Sequence, residues 1–171
     1  MKRMIVAALA AGMVVLAAGA RAQGRFEGGP RQGAKTLSLS GSVTGGDIPT
    51  VGGLNAQAGV YVRDTTEAGL AAGLLFKSPG QSSAAGTVGG FVKYHVPTGS
   101  RAIPYIGAGV GIVFGRFAGT RRNAPLVDGT VGEDFFVSPV QSFFLEFKLQ
   151  QPLRGSSTLY NTNFGVRFFF R

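Results

Sequence analysis

The chain has 171 residues, enough for one domain, and 17 Lys and Arg against 8 Asp and Glu give it a formal charge of +9. The absence of cysteine excludes disulfides and thiolate-held metals, and a single histidine, His95, excludes a multi-histidine zinc site. A hydrophobic content of 44 % argues against disorder, and no aromatic-and-basic face accompanies the positive charge, so nucleic-acid binding is not expected.

Residues 1–22 read as a cleaved signal peptide: Lys2 and Arg3 form a basic start, and Met4 to Ala18 is apolar and uncharged. Ala20-Arg21-Ala22 supplies the small-residue cleavage pattern. The apolar run is short for the roughly 20 residues a membrane helix needs. Residues 23–34, rich in Gly, Pro and Arg, are expected to form a flexible periplasmic leader.

From there the hydrophobicity alternates with period two, the signature of strands. A first strand over residues 35–43 sets Leu37, Leu39 and Val43 against Ser38, Ser40 and Ser42, and residues 44–53 read as a loop. The second, residues 55–63, alternates Ala58, Val60 and Val62 with Gln57, Gly59, Tyr61 and Arg63. The third, residues 68–77, aligns Leu70, Ala72, Leu74 and Phe76, and a short break at Ser78-Pro79-Gly80-Gln81 follows. The fourth, residues 84–96, sets Val88, Val92, Tyr94 and Val96 against Phe91, Lys93 and His95.

The fifth, residues 102–115, contains PYIGAGVGIVFG, in which Ile106, Ala108, Val110, Ile112 and Phe114 share one face and Gly107, Gly109 and Gly111 the other. A dinucleotide loop would need glycine at the sixth position from Gly107, where Ile112 stands, and no Walker pattern occurs in the chain. A strand with one apolar face and one nearly bare face suits the wall of a narrow closed barrel. Residues 116–127 read as the longest break, a sixth strand ends in Phe135-Phe136-Val137, and a seventh covers residues 141–150. The eighth, residues 159–170, aligns Phe164, Val166, Phe168 and Phe170 against Gly165, Arg167 and Phe169.

Eight such segments, each near the roughly 9–11 residues of a tilted membrane strand, predict an all-β, eight-stranded, antiparallel up-and-down transmembrane barrel over residues 35–171. A soluble lipocalin-like barrel would carry more charge on its exterior than the 15 % of charged residues allows, so lipid is the expected neighbour of the apolar face. Glu133 breaks the alternation, which predicts either a bulge near residues 132–134 or a carboxylate close to a membrane interface.

PYIGAGVG at residues 104–111, DFFVSP with FFLEFKL between Asp134 and Leu149, and the closing FGVRFFF resemble small outer-membrane barrels of the OmpA/OmpX/OmpW and opacity-protein type. The resemblance implies a Gram-negative outer membrane, a C-terminal strand read by the barrel-assembly machinery, and relatives that include a narrow path for small, including hydrophobic, molecules. Two features depart from the pattern: Arg171 follows the terminal Phe170, and with no Trp the aromatic girdle must rest on phenylalanine.

By parity, Lys93, His95, Asp134, Glu146, Lys148 and Arg167 point into the lumen, with Arg63 near one end. They form either a structural ion-pair network or a selectivity constriction, and the filled interior usual for eight strands favours the first. Arg116, Arg121, Arg122 and Arg154 fall in loops assigned to the outside, where arginine suits lipopolysaccharide phosphates. Lipid A deacylases of similar size carry a His-x-Ser pair, whereas Val96 and Pro97 follow His95 here, so no enzyme activity is expected. No cofactor and no metal are expected, and the chain is expected to be a monomer. The role read from the sequence is structural or surface-interacting, with a narrow channel as the alternative and a membrane-embedded lipid hydrolase as a remote one.

Overall fold

The computed structural model describes residues 29–46, 51–76, 84–117, 120–121, 123–153 and 158–171. Its strands are β1 (Lys35–Gly46), β2 (Val51–Arg63), β3 (Thr66–Phe76), β4 (Ala84–His95), β5 (Ala102–Phe117), β6 (Thr120–Arg121), β7 (Ala124–Ser138), β8 (Gln141–Pro152) and β9 (Leu159–Phe170). Each long strand pairs antiparallel with its neighbours in sequence, β9 pairs with β1, and β4 with β5, so eight strands close a ring with no free edge. The two-residue β6 folds back on the top of β5. No helix among the described residues is long and apolar enough to cross a membrane, a test that says nothing about strands.

Alternation explains the closure. On β1, Thr36, Ser38, Ser40, Ser42 and Thr44 are buried, while Leu37, Leu39 and Val43 are exposed. The same inversion runs round the ring: Leu54, Leu70, Val92, Val110 and Phe164 are all more than half exposed. Single-domain soluble proteins rarely expose contiguous apolar patches beyond a few hundred Å². An apolar belt round the whole circumference, over a polar interior, is the transmembrane-barrel arrangement.

Several strands exceed their expected limits. Residues 44–53 are not one loop: Thr44 pairs with Val51, Val43 with Gly52 and Ser42 with Gly53, carrying the hairpin four residues from the turn. Likewise the break at 116–127 is shorter than expected, because Ala124 and Leu126 turn inward and bury against Val113. Glycine and proline content suggested turns there, and inward packing overrode it. The connection between β3 and β4, residues 77–83, lies outside the described residues. Residues 1–28, including the signal peptide, also lie outside them.

The bulge expected near residues 132–134 is absent: β7 keeps unbroken register with β5 and β8 there, pairing Glu133 with Pro104 and Leu145. Register shifts instead occur at Tyr61/Arg63 and Phe136/Ser138, beside the turns at the end that carries both termini. Glu133 therefore remains on the outer face, near that end.

Candidate functional site: the filled lumen

Inward-facing side chains stack in layers. At the end that carries the termini, Tyr61, Ile103, Phe136 and Phe169 form an apolar layer, with Ala34 packed against it. Above it lies an ionic layer centred on Arg167 of β9, which is fully buried. Its Nη1 donates to Asp134 Oδ2 at 2.5 Å, its Nε to Ser38 Oγ at 3.0 Å, and Glu67 Oε2 stands 3.7 Å away. Ser142 donates to the other Asp134 oxygen at 3.0 Å, and Thr36 donates to Glu67 Oε1 at 2.5 Å. The guanidinium lies between the rings of Tyr105 and Phe144, whose centroids are 5.3 and 5.1 Å from its central carbon. His95 Nε2 sits 3.3 Å from Asp134 and 3.1 Å from the Tyr61 hydroxyl.

The next layer is built on Lys93 and Glu146, both buried, at 2.6 Å. Lys93 also donates to Gln57 at 2.7 Å, while Glu146 accepts from Tyr105 and from Asn163, each at 3.1 Å. Lys148 approaches the same carboxylate at 3.7 Å and Asp128 at 4.0 Å. Burying an unpaired ion costs several kcal/mol, and each cation here has a carboxylate within 4.0 Å. Asn55, Asn161, Asn163, Gln150 and Thr87 continue upward around two cavities of about 30 and 40 Å³. At roughly 10–15 Å³ per water, each has room for two or three waters. Leu75, Ala85, Val113, Leu126 and Leu159 bury an apolar layer above them.

Six of the seven predicted lumen residues meet here: Lys93, His95, Asp134, Glu146, Lys148 and Arg167. Arg63 does not, because the register shift at Tyr61/Arg63 leaves it exposed at the barrel's end. Glu67 and Asp128 join the network without having been singled out by sequence: Glu67 has the inward parity of β3 but precedes the expected strand start, and Asp128 directly follows the expected break at residues 116–127 in what is strand β7. The tyrosines 61 and 105, each shared between layers, also follow from parity alone. Arg116 and Arg121 pair across the β5–β6 hairpin, whereas Arg122 and Arg154 lie outside the described residues. Among the described residues no three His, Asp or Glu side chains are grouped as metal ligands.

Solved structures with the same arrangement include neisserial surface protein A (TM-score 0.64, 13 % identity, covering 80 % of this chain and 96 % of that one). The chain has the fold of the small outer-membrane barrels. The N-terminal barrel domain of Pseudomonas aeruginosa OprF matches at TM-score 0.64 and 14 % identity, covering 82 % of this chain and all of that domain, 100 %. OprG of the same organism matches at 0.64 and 12 % identity, covering 84 % and 99 % of the two chains. No family model and no curated protein matches the sequence.

Proposed function

We propose that the protein is an outer-membrane barrel of a Gram-negative envelope whose role is structural or surface-interacting, built as a closed platform for its loops. The observation that carries this reading is the filled lumen: Arg167, Asp134, Glu146 and Lys93 are at most 2 % exposed and span the bore. The cavities above them admit water and little more. A neighbour of the same fold is titled a surface protein, which agrees with the reading. Export by the signal peptide, insertion through the Phe164–Phe170 strand by the barrel-assembly machinery, a monomeric state and loop arginines on lipopolysaccharide belong to the same proposal.

The reading is non-enzymatic. His95 faces Tyr61, Asp134 and Arg167, while Ser38 and Ser142 are engaged by Arg167 and Asp134. The hydrogen-bond partners of His95 Nε2 are the Tyr61 hydroxyl and Arg167 rather than a serine.

The mature chain, folded into lipid vesicles, should migrate differently unheated and boiled on a denaturing gel, and the vesicles should retain ions and small solutes. Steady single-channel conductance or solute efflux from the folded protein would replace the platform with the narrow-channel reading.

A further inference from the structure

The start of β1, the end of β9 and the β2–β3, β4–β5 and β7–β8 connections meet at one end, which in an even-stranded outer-membrane barrel is the periplasmic end. Cationic side chains collect there: Arg31, Lys35, Arg63, Arg101 and Arg171 are exposed, and Asp64 is the exposed acid beside them. Three of them converge on the β1–β9 seam. Lys35 pairs with Phe170 of β9 and shares the outward parity of Leu37, so its stem runs over the apolar belt toward the interface. Arg31 and Arg171 line a half-open cavity of about 750 Å³ with Pro139, Val140, Phe169 and Phe170. That volume lies within the roughly 300–1,000 Å³ of ligand sites, and none of the described residues that line it is acidic.

The wall that carries Arg31 is held in place. Gly33 N donates to Tyr61 O, and Tyr61 N to Ala34 O, each at 2.8 Å, so the segment extends the β2 edge. Ala34 N donates to Arg31 O at 2.9 Å across a turn in which Gly33 takes φ +84°, a conformation suited to glycine. Gln32 N is fixed to Asp64 Oδ1 at 2.8 Å. One rim of the cavity, Phe170 and Val140, is exposed on the lipid-facing circumference. A ligand there has its apolar part beside the belt and its charge beside guanidinium groups.

We infer that this seam binds the phosphate headgroup of an anionic phospholipid from the periplasmic leaflet, with Arg31, Arg171 and Lys35 around the phosphate and the acyl chains along Phe170 and Phe168. Arginine matches phosphate oxygens with two parallel donors, and Lys35 adds a point charge. The inference rests on the membrane reading of the barrel.

Native mass spectrometry of the folded mature chain, released from detergent with equal phosphatidylglycerol and phosphatidylcholine, reads the preference directly. The wild type should retain phosphatidylglycerol, and Arg31→Gln/Lys35→Gln/Arg171→Gln should lower that retention by roughly tenfold or more. Arg31→Lys/Arg171→Lys should keep most of it, and Arg63→Gln, outside the cavity, should keep all of it. Equal retention of the two lipids, or a triple variant that binds like the wild type, overturns the site. So does an Arg63→Gln loss as large as that of the triple variant, which would mean diffuse collar charge, or displacement by excess glycerol phosphate, which would mean a soluble-phosphate site. The unheated gel shift is read on every sample: its absence from the wild type overturns the membrane reading, while its presence with no lipid preference overturns the site alone.

Discussion

Arg167 connects three strands through one guanidinium, touching Ser38 of β1, Asp134 of β7 and Glu67 of β3. Arg167→Met removes a single charge but leaves the buried Asp134 and Glu67 carboxylates with His95 beside them and the Lys93 ammonium in the next layer. Breaking a buried pair costs about 3–5 kcal/mol, and urea unfolding from lipid vesicles should show a loss of that size. Lys93→Met should cost a comparable amount, whereas Lys93→Met/Glu146→Gln should cost less than the two single changes together. Their coupling, on the order of 1–3 kcal/mol for residues in one network, is measured by the same unfolding curves. Glu133 is the opposite case. Its backbone register puts it on the outer face between Pro104 and Leu145, yet its side chain is buried, and no hydrogen bond to it is seen among the described residues. Glu133→Leu should therefore stabilise the barrel by about 1 kcal/mol, since a buried carboxylate without a partner is unfavourable. An unchanged or lower unfolding midpoint would refute that.

At the scale of the strand, β4 and β5 approach closely where the inward positions are glycines, Gly89 paired with Gly111. A Cβ on Gly111 would lie 2.6 Å from Val88 O and 3.1 Å from the Gly89 Cα, both backbone atoms that cannot rotate away. Gly111→Val should destabilise by about 1–3 kcal/mol, the range for overpacking, and slow the appearance of the heat-sensitive gel band. Gly129, on the outer face of β7, has nothing within 4 Å of a built Cβ. Gly129→Ala should be neutral or gain up to about 1 kcal/mol by narrowing the unfolded ensemble. The same amino acid is thus indispensable on one face of the sheet and replaceable on the other.

The molecule as a whole inverts the soluble plan, with charge inside and hydrocarbon outside. Leu39, Leu54, Val110 and Phe164 are each exposed by 55–65 %, and such a surface finds no partner in water. Removal of detergent without lipid should precipitate the folded chain or drive it into large assemblies, read by light scattering. A monodisperse monomer in plain buffer would contradict the belt. The layered lumen also makes the barrel stiff: apolar layers close both ends, and matched ions fill the middle. Matched charges serve the fold here by tying strands together across the bore.

The strand count, the inward and outward faces and six of the lumen residues were legible in the sequence, because a strand's period of two assigns every side chain to a face once one face is known to be apolar. Composition located the lipid side, since too few charges exist to coat an exterior. Pairing partners were not legible. Parity puts Arg167 and Asp134 in the same lumen, but only the closed ring's register brings Asp134 within hydrogen-bond reach and leaves Arg63 outside. Strand ends at Gly46 and Ala124, and the unbroken register at Glu133, were likewise settled by cross-strand bonds and inward packing between residues distant in the chain. The cationic cavity at the β1–β9 seam depends wholly on closure: Arg31 and Arg171 stand at opposite ends of the barrel sequence, and the first and last strands must pair before they can share a ligand.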